Sequence, residues 1–219
     1  MQKLNFRTKD YSHIYFSSDF HIDHKRDFIF KPRGFDSWED HTEFVVKNLL
    51  SLQPDDLLIY LGDFALNTSD ERVQSLLDAI PCETYMCWGN HNSGLKTSYQ
   101  RAKNNYLAER FDDVDIYPLK IARNVTMMGD AFYVSIDRRK FYCNHFAPTI
   151  WDGMQHGWGC VCGHSHGSLE IANYYNDEMK LLDVGIDNAL KYHGKPLFEF
   201  KDVCEIMDKK TLYAPDHHA

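Results

Sequence analysis

Five short polar blocks, each closing an apolar run, constrain this chain more than any other feature. They are Ser18-Asp19-Phe20-His21, Gly62-Asp63, Gly89-Asn90-His91, Asn144-His145 and Gly163-His164-Ser165-His166. Strand-like sequence precedes four of them: His13-Ile14-Tyr15-Phe16, Leu57-Leu58-Ile59-Tyr60-Leu61, Thr84-Tyr85-Met86-Cys87-Trp88 and Lys140-Phe141-Tyr142-Cys143. The fifth follows a shorter run, Cys160-Val161-Cys162. Short runs of β-branched and aromatic residues bounded by Gly, Asp and Asn read as strands. The blocks therefore sit where strands hand over to loops. In an open α/β sheet that carboxyl edge is where ligands bind, and Asp, His and Asn from separate strand ends can converge there.

The residue types carry a chemical message. Carboxylate, imidazole and amide oxygen, without thiolate, suit hard or borderline divalent ions such as Mn, Fe, Zn, Ni or Mg. A carboxylate between two cations bridges them and offsets their repulsion. Two metals about 3.5–4 Å apart form a clamp for in-line displacement at phosphorus and make hydroxide available near neutral pH. Taken singly, each block is an ordinary turn, because Gly, Asp, Asn and His are common there. Unrelated turns leave the recurrence at five strand ends unexplained.

The ordered set resembles the calcineurin-like metallophosphoesterase family, over Asp19 to His166. His24-Lys25, Lys31-Pro32-Arg33-Gly34-Phe35 and Asp183 through Asn188 are similar to a compact subgroup found in bacteria and their phages. The resemblance implies an α/β fold in four layers (αββα), a two-sheet sandwich flanked by helices. It implies one metal on Asp19, His21, Asp63 and His166, and a second on Asp63, Asn90, His145 and His164, with Asp63 bridging. His91 then protonates the leaving alkoxide or stabilises charge on the phosphoryl group. Many relatives carry Asp or Glu after this His, whereas this chain has Asn92. An amide can orient an imidazole but supplies no charge.

Composition fits that frame. At 219 residues the whole chain, 1–219, suits one domain. No apolar stretch approaches a membrane span, the N-terminus lacks a signal-peptide core, and a cytoplasmic location is expected. The formal charge of −8 disfavours a tight nucleic-acid surface, whose grip rests on cations. The six cysteines form no Cys-x-x-Cys pair and read as reduced core residues, rather than as support for the metals from Cys87 or Cys143.

The spacing predicts a helix over 38–53, capped by Ser37 or Asp36, and another over Asp70–Ala79. Leu95 to Arg110 reads as a polar surface helix, with a lid as the alternative. Val125–Met128, Ala131–Ile136 and Lys140–Cys143 predict an antiparallel stretch in a second sheet. Lys180–Val184 and Val203–Met207 read as strands, and the final Pro215–Ala219 as a frayed end. His24, Lys25 and Arg33 are candidate substrate contacts, since Lys and Arg suit phosphate. Asp187 and Asn188 read as turn formers, with partners of the metal-binding residues as the alternative, and Trp151 and Trp158 as packing residues, with stacking on a base or an aryl ester as the alternative.

The expected activity is hydrolysis of a phosphate mono- or diester with two divalent metals, manganese favoured, by attack of a metal-bound hydroxide. A nucleotide or other small phosphoester is the favoured substrate. The alternatives are a metal-dependent nuclease and a catalytically silent metal-binding scaffold of the same fold.

Overall fold

The computed structural model describes residues 1–91, 96, 117–169 and 179–211. Two mixed sheets form its centre. The first contains β2 (Ile14–Ser17), β3 (Leu57–Tyr60), β4 (Glu83–Met86), β5 (Leu119–Lys120), β6 (Val125–Met127) and β11 (Phe198–Glu199), in the order β11-β2-β3-β4-β6-β5. The second contains β1 (Lys3–Phe6), β7 (Ala131–Ile136), β8 (Arg139–Asn144), β9 (Gly159–Cys162) and β10 (Leu181–Asp183), in the order β1-β7-β8-β9-β10. The strands β2, β3, β4 and β6 run parallel, so their carboxyl ends share one edge. β8 and β9 are also parallel.

Alternation along β3 sets the layers. Leu57 and Ile59 face the second sheet, where they pack with Phe132, Val134, Phe141, Val161 and Leu182. Leu58 and Tyr60 face outward against Val45, Leu49, Leu76 and Leu77. Those four lie on the apolar faces of α2 (Trp38–Leu50) and α3 (Asp70–Ala79), which follow the short α1 (Asp27–Phe30). Each helix begins on a serine cap: Ser37 Oγ accepts from Asp40 N–H at 3.1 Å and Ser69 Oγ from Arg72 N–H at 3.2 Å. A third cluster of Trp151, Met154, Cys160, Cys162 and Leu181 covers the outer face of the second sheet. This is the expected two-sheet sandwich.

Two expectations need correction. Val125–Met127 joins the first sheet, parallel to β4, instead of the antiparallel stretch. The chain crosses between sheets at Gly129 (φ 91°), whereas Asp137 and Arg138, both left-handed, close the β7–β8 hairpin. Val203–Met207 belongs to a helix, α5 (Phe200–Lys209), in which Val203 and Met207 are buried four residues apart. The Asp202 carboxylate accepts the Glu199 N–H at 3.2 Å at its start. A five-residue window hid the helical period there. The expected Leu95–Arg110 helix lies outside the described residues apart from Lys96, and so does the terminal Pro215–Ala219.

All six cysteines are free, five of them buried. Trp151 is buried and Trp158 lies under Lys140 Nζ, 4.3 Å from its ring, so both pack. No helix among the described residues is long and apolar enough to cross a membrane.

Candidate metal centre

The five blocks meet at one edge of the sandwich because the loops after β2 and β3 go on pairing beyond the strands. Asp19 N–H donates to Gly62 O at 3.0 Å, His21 N–H to Asp63 O at 3.1 Å and Ile22 N–H to Phe64 O at 3.0 Å. Gly163 N–H donates to His145 O at 3.0 Å and ties the β8 and β9 ends together. Asp19, His21, Asp63, His164 and His166 all have φ between 46° and 67°. Non-glycine residues in that region cost of order 1–3 kcal/mol each and concentrate at functional sites. Glycine permits the close approach. A Cβ on Gly62 would come 2.7 Å from Gly89 Cα, and one on Gly89 would overlap Asp63 Oδ1.

Two clusters result. Ligand atoms of Asp19, His21 and His166 lie within 4.8 Å of one another, and so do those of Asp63, His145 and His164. In the first, Asp19 Oδ2 accepts from His164 N–H at 2.9 Å and from the Ser18 hydroxyl. Its Oδ1 is buried without a hydrogen-bond partner, as is His21 Nε2, 3.9 Å away. A buried carboxylate oxygen and imidazole nitrogen left unsatisfied together are costly unless something binds both. A divalent cation fits. Burial, then the neighbouring Asp183, pushes the Asp19 carboxyl up to about 7 without such a cation. Burial and then Arg33 lower His21, which favours the neutral imidazole a metal ligand must present.

Asp63 lies between the clusters. Its Oδ1 accepts the His91 N–H at 2.8 Å, while Oδ2 sits 3.6 Å from His21 Nε2 and 3.5 Å from His145 Nε2. Burial works against its charge, but His145 and the His91 amide outweigh that and hold the carboxyl down at about 2. His145 Nδ1 lies 2.8 Å from Leu61 O. That carbonyl can only accept, so the neutral imidazole carries its proton on Nδ1 and turns a lone pair toward Asn90 Oδ1, also 2.8 Å away. Two acceptors at that distance repel unless a cation lies against both, the amide turns its NH2 inward or the ring takes up a second proton. Ligand atoms at right angles on an ion with bonds of about 2.1 Å lie about 3 Å apart.

The outer contacts are built around Arg33. Its side chain is 1% exposed and forks onto Asp187, with Nε to Oδ1 at 2.9 Å and Nη2 to Oδ2 at 2.7 Å. It also donates to Asp19 O at 3.0 Å and to His41 Nε2 at 2.9 Å. Asp187 Oδ2 in turn lies 2.9 Å from His166 Nδ1, which leaves Nε2 of His166 free as a ligand atom. Asp187 is thus no simple turn former. It sits in the first turn of α4 (Ile186–His193) as partner of both Arg33 and His166. Asn188 is buried there and donates to Asp183 O at 3.0 Å. His24 is also buried, its Nδ1 3.3 Å from His21 Nδ1, and Lys25 Nζ lies 4.9 Å from the Trp38 ring.

His91 is half-buried, its ring 5.3 Å from that of His21. Asn92 lies outside the described residues. Sequence reasoning gave no role to His41 or Asp183. His41 is fully buried in α2, and Asp183 accepts from Gly185 N–H at 2.7 Å and Gly167 N–H at 3.2 Å, fixing the loop of His166. The available signal for His41 was its spacing, four residues before Val45 and eight before Leu49 on the inward stripe of α2.

Comparison with known proteins agrees with this geometry. The family profile described as calcineurin-like phosphoesterase matches residues 12–192. A solved structure, the protein of unknown function AQ665 from Aquifex aeolicus, is similar in fold, with a TM-score of 0.54 at 17% identity. That alignment covers 88% of this chain and 98% of the other. Among proteins with curated functions none matches significantly. With all five blocks gathered at one sheet edge inside the matched segment, the chain belongs to the calcineurin-like phosphoesterase family, whose members are metal-dependent hydrolases of phosphoesters.

Proposed function

We propose that this protein is a binuclear-metal phosphoesterase for small phosphate mono- or diesters, nucleotides among them. One subsite is Asp19, His21, Asp63 and His166, and the other is Asp63, Asn90, His145 and His164, with Asp63 shared. The observation that carries the reading is the pair of buried, unpartnered ligand atoms, Asp19 Oδ1 and His21 Nε2, beside a carboxylate oxygen poised between two imidazoles. Two divalent ions, manganese favoured for its mixed oxygen and nitrogen ligands, would supply charge that neutralises a phosphoryl group and acidifies water.

The chain's own residues do the rest. Asp187, held in turn by the Arg33 fork, engages Nδ1 of His166. His24 engages Nδ1 of His21 in the same way. His91, fixed through its amide to Asp63 Oδ1, gives a proton to the departing oxygen. Lys25, one residue after His24, is an exposed cation and Arg33 a buried one, so a phosphate contact falls more naturally to Lys25. The net charge of −8 supports a small ester over a polynucleotide. The test is metal analysis of the purified protein with hydrolysis of bis(4-nitrophenyl) phosphate and 4-nitrophenyl phosphate. Two ions per chain and manganese-stimulated turnover are expected. One ion or none at saturation, with no hydrolysis under any metal, removes the reading.

A further inference from the structure

A cavity of about 90 Å³ opens beside His91, between the β3 and β4 ends and α3. Phe64, Leu77, Met86, Trp88 and Met127 form its buried walls, and Val73 lines it half-exposed. Asn67, Thr68 and Asp70 are its more exposed polar lining. Among the described residues, His91 and Asp70 are the ionisable groups lining it. The cavity is largely preformed, because the Trp88 indole N–H donates to Tyr117 Oη at 2.8 Å and fixes one wall. His91 therefore faces two ways: its amide is held by Asp63 at the metal clusters, and the residue borders an apolar cavity.

We propose that this cavity receives the departing alcohol and selects an uncharged one that carries a small apolar or aromatic group. The proposal rests on the phosphoesterase reading, with His91 as proton donor. In hydrolysis the water oxygen bonds to phosphorus, and the phosphorus–alcohol bond breaks with its electron pair leaving on the alcohol oxygen. That oxygen takes a proton from His91, which regains one from solvent. An alcohol oxygen within reach of His91 carries its carbon end to the space that His91 itself lines. Apolar walls favour carbon and penalise buried charge that has no partner. The thioethers of Met86 and Met127 suit the edge of an aromatic ring. The cavity is smaller than the ~150 Å³ that holds a whole benzene, so a ring enters edge-first from the open mouth. An alcohol bearing a further phosphate, as at an internal nucleic-acid linkage, would bring an anion to Asp70 and to these walls. The pocket thus separates small esters from polynucleotides by chemistry that the metal ligands do not supply.

The test has a binding arm that needs no turnover. Methionine methyls are labelled in the protein as purified, and benzyl alcohol and glycerol 3-phosphate are titrated in separately. Benzyl alcohol should shift the Met86 and Met127 methyls saturably and glycerol 3-phosphate should not. The shifts should disappear in Val73→Phe, which fills the cavity from its half-exposed side, and persist in Val73→Ala. The kinetic arm compares methyl and benzyl esters, alcohols of similar acidity, both as monoesters and as diesters with a second methyl group. A benzyl preference of about tenfold or more in kcat/KM is expected, shrinking toward unity in Val73→Phe. Absent methyl shifts, or no benzyl preference in an active enzyme, overturn the leaving-group pocket and leave the phosphoesterase intact. No hydrolysis of any ester with saturable methyl shifts overturns the phosphoesterase reading instead, and with it the pocket's role. Because the wild-type titration stands alone, misfolding of Val73→Phe does not rescue a negative result.

Discussion

Arg33→Met should damage the metal site without touching a proposed metal ligand. The guanidinium is buried, and its fork on Asp187 is closed at 2.9 and 2.7 Å. Its other hydrogens go to Asp19 O, Phe20 O and His41 Nε2. Methionine keeps the aliphatic stem and removes every donor, so among the described residues Asp187, 16% exposed, keeps only His166 as a partner. Breaking a buried ion pair from one side costs about 3–5 kcal/mol. For a chain of this size each kcal/mol moves Tm by about 2–4 °C, so the lower bound of ~3 kcal/mol corresponds to ~6–12 °C in the metal-free protein. Metal affinity should also fall, by about 10–100-fold, as for other residues that orient a histidine ligand from outside. Arg33→Lys keeps the charge but not the fork and should fall between. Calorimetry of the apo protein and metal titration of each variant are the assays. A folded Arg33→Met with Tm within ~2 °C of wild type and unchanged metal affinity would refute the clamp. If KM alone rises, Arg33 contacts substrate after all.

Other perturbations separate neighbouring roles. Asp63→Ala should lose metal as well as activity. His91→Ala should retain metal and slow alkyl esters far more than activated aryl esters, by about 10²–10⁴-fold, because an aryl oxide leaves without a proton; equal slowing would assign His91 to charge stabilisation. Gly89→Ala should lower metal occupancy, since the new Cβ overlaps Asp63 Oδ1; full occupancy would show that the loop yields. Burial, then Arg33, pushes His41 down to about 3, against ~6.5 when unfolded. The unfolded chain therefore takes up this proton first, and the contribution of His41 is complete above about pH 6.5 and is lost as pH falls toward 3, by up to ~1.4 kcal/mol per unit. Urea midpoints across pH 4–7 should fall less steeply in His41→Gln, and parallel slopes would assign the acid loss elsewhere.

The strand-end blocks made the convergence legible because each combines two local signals, an apolar run and a polar turn, and parallel β2, β3 and β4 share an edge once helices connect them. Ser37 likewise announced its helix through capping chemistry. What stayed hidden was long-range. Arg33 and Asp187 are separated by 154 positions, and nothing local in either distinguishes a buried ion pair from a surface loop. Val203 and Met207 were misread for a related reason: the period that marks α5 needs Phe200 through Lys209 to show itself. The strand Val125–Met127 carries no signal for which sheet takes it, because that is decided by the crossing at Gly129.

The left-handed residues connect these two levels. Asp19, His21, Asp63, His164 and His166 have φ values that L residues adopt at a cost, and sequence alone gives no reason for five such positions. The reason lies in direction. At the end of a strand successive side chains point to opposite faces, so Asp19 and His21 would diverge from Asp63 if the chain ran on extended. A left-handed step after each strand turns the side chain across the sheet edge, toward the equivalent step of its neighbour. The backbone bonds from Asp19 to Gly62 and from His21 to Asp63 hold those steps in register, and the fork of Arg33 binds the Asp19 carbonyl to the α4 partner of His166. Strain at the candidate ligands is therefore supported by backbone hydrogen bonds between the strand-end loops and by the donors of Arg33.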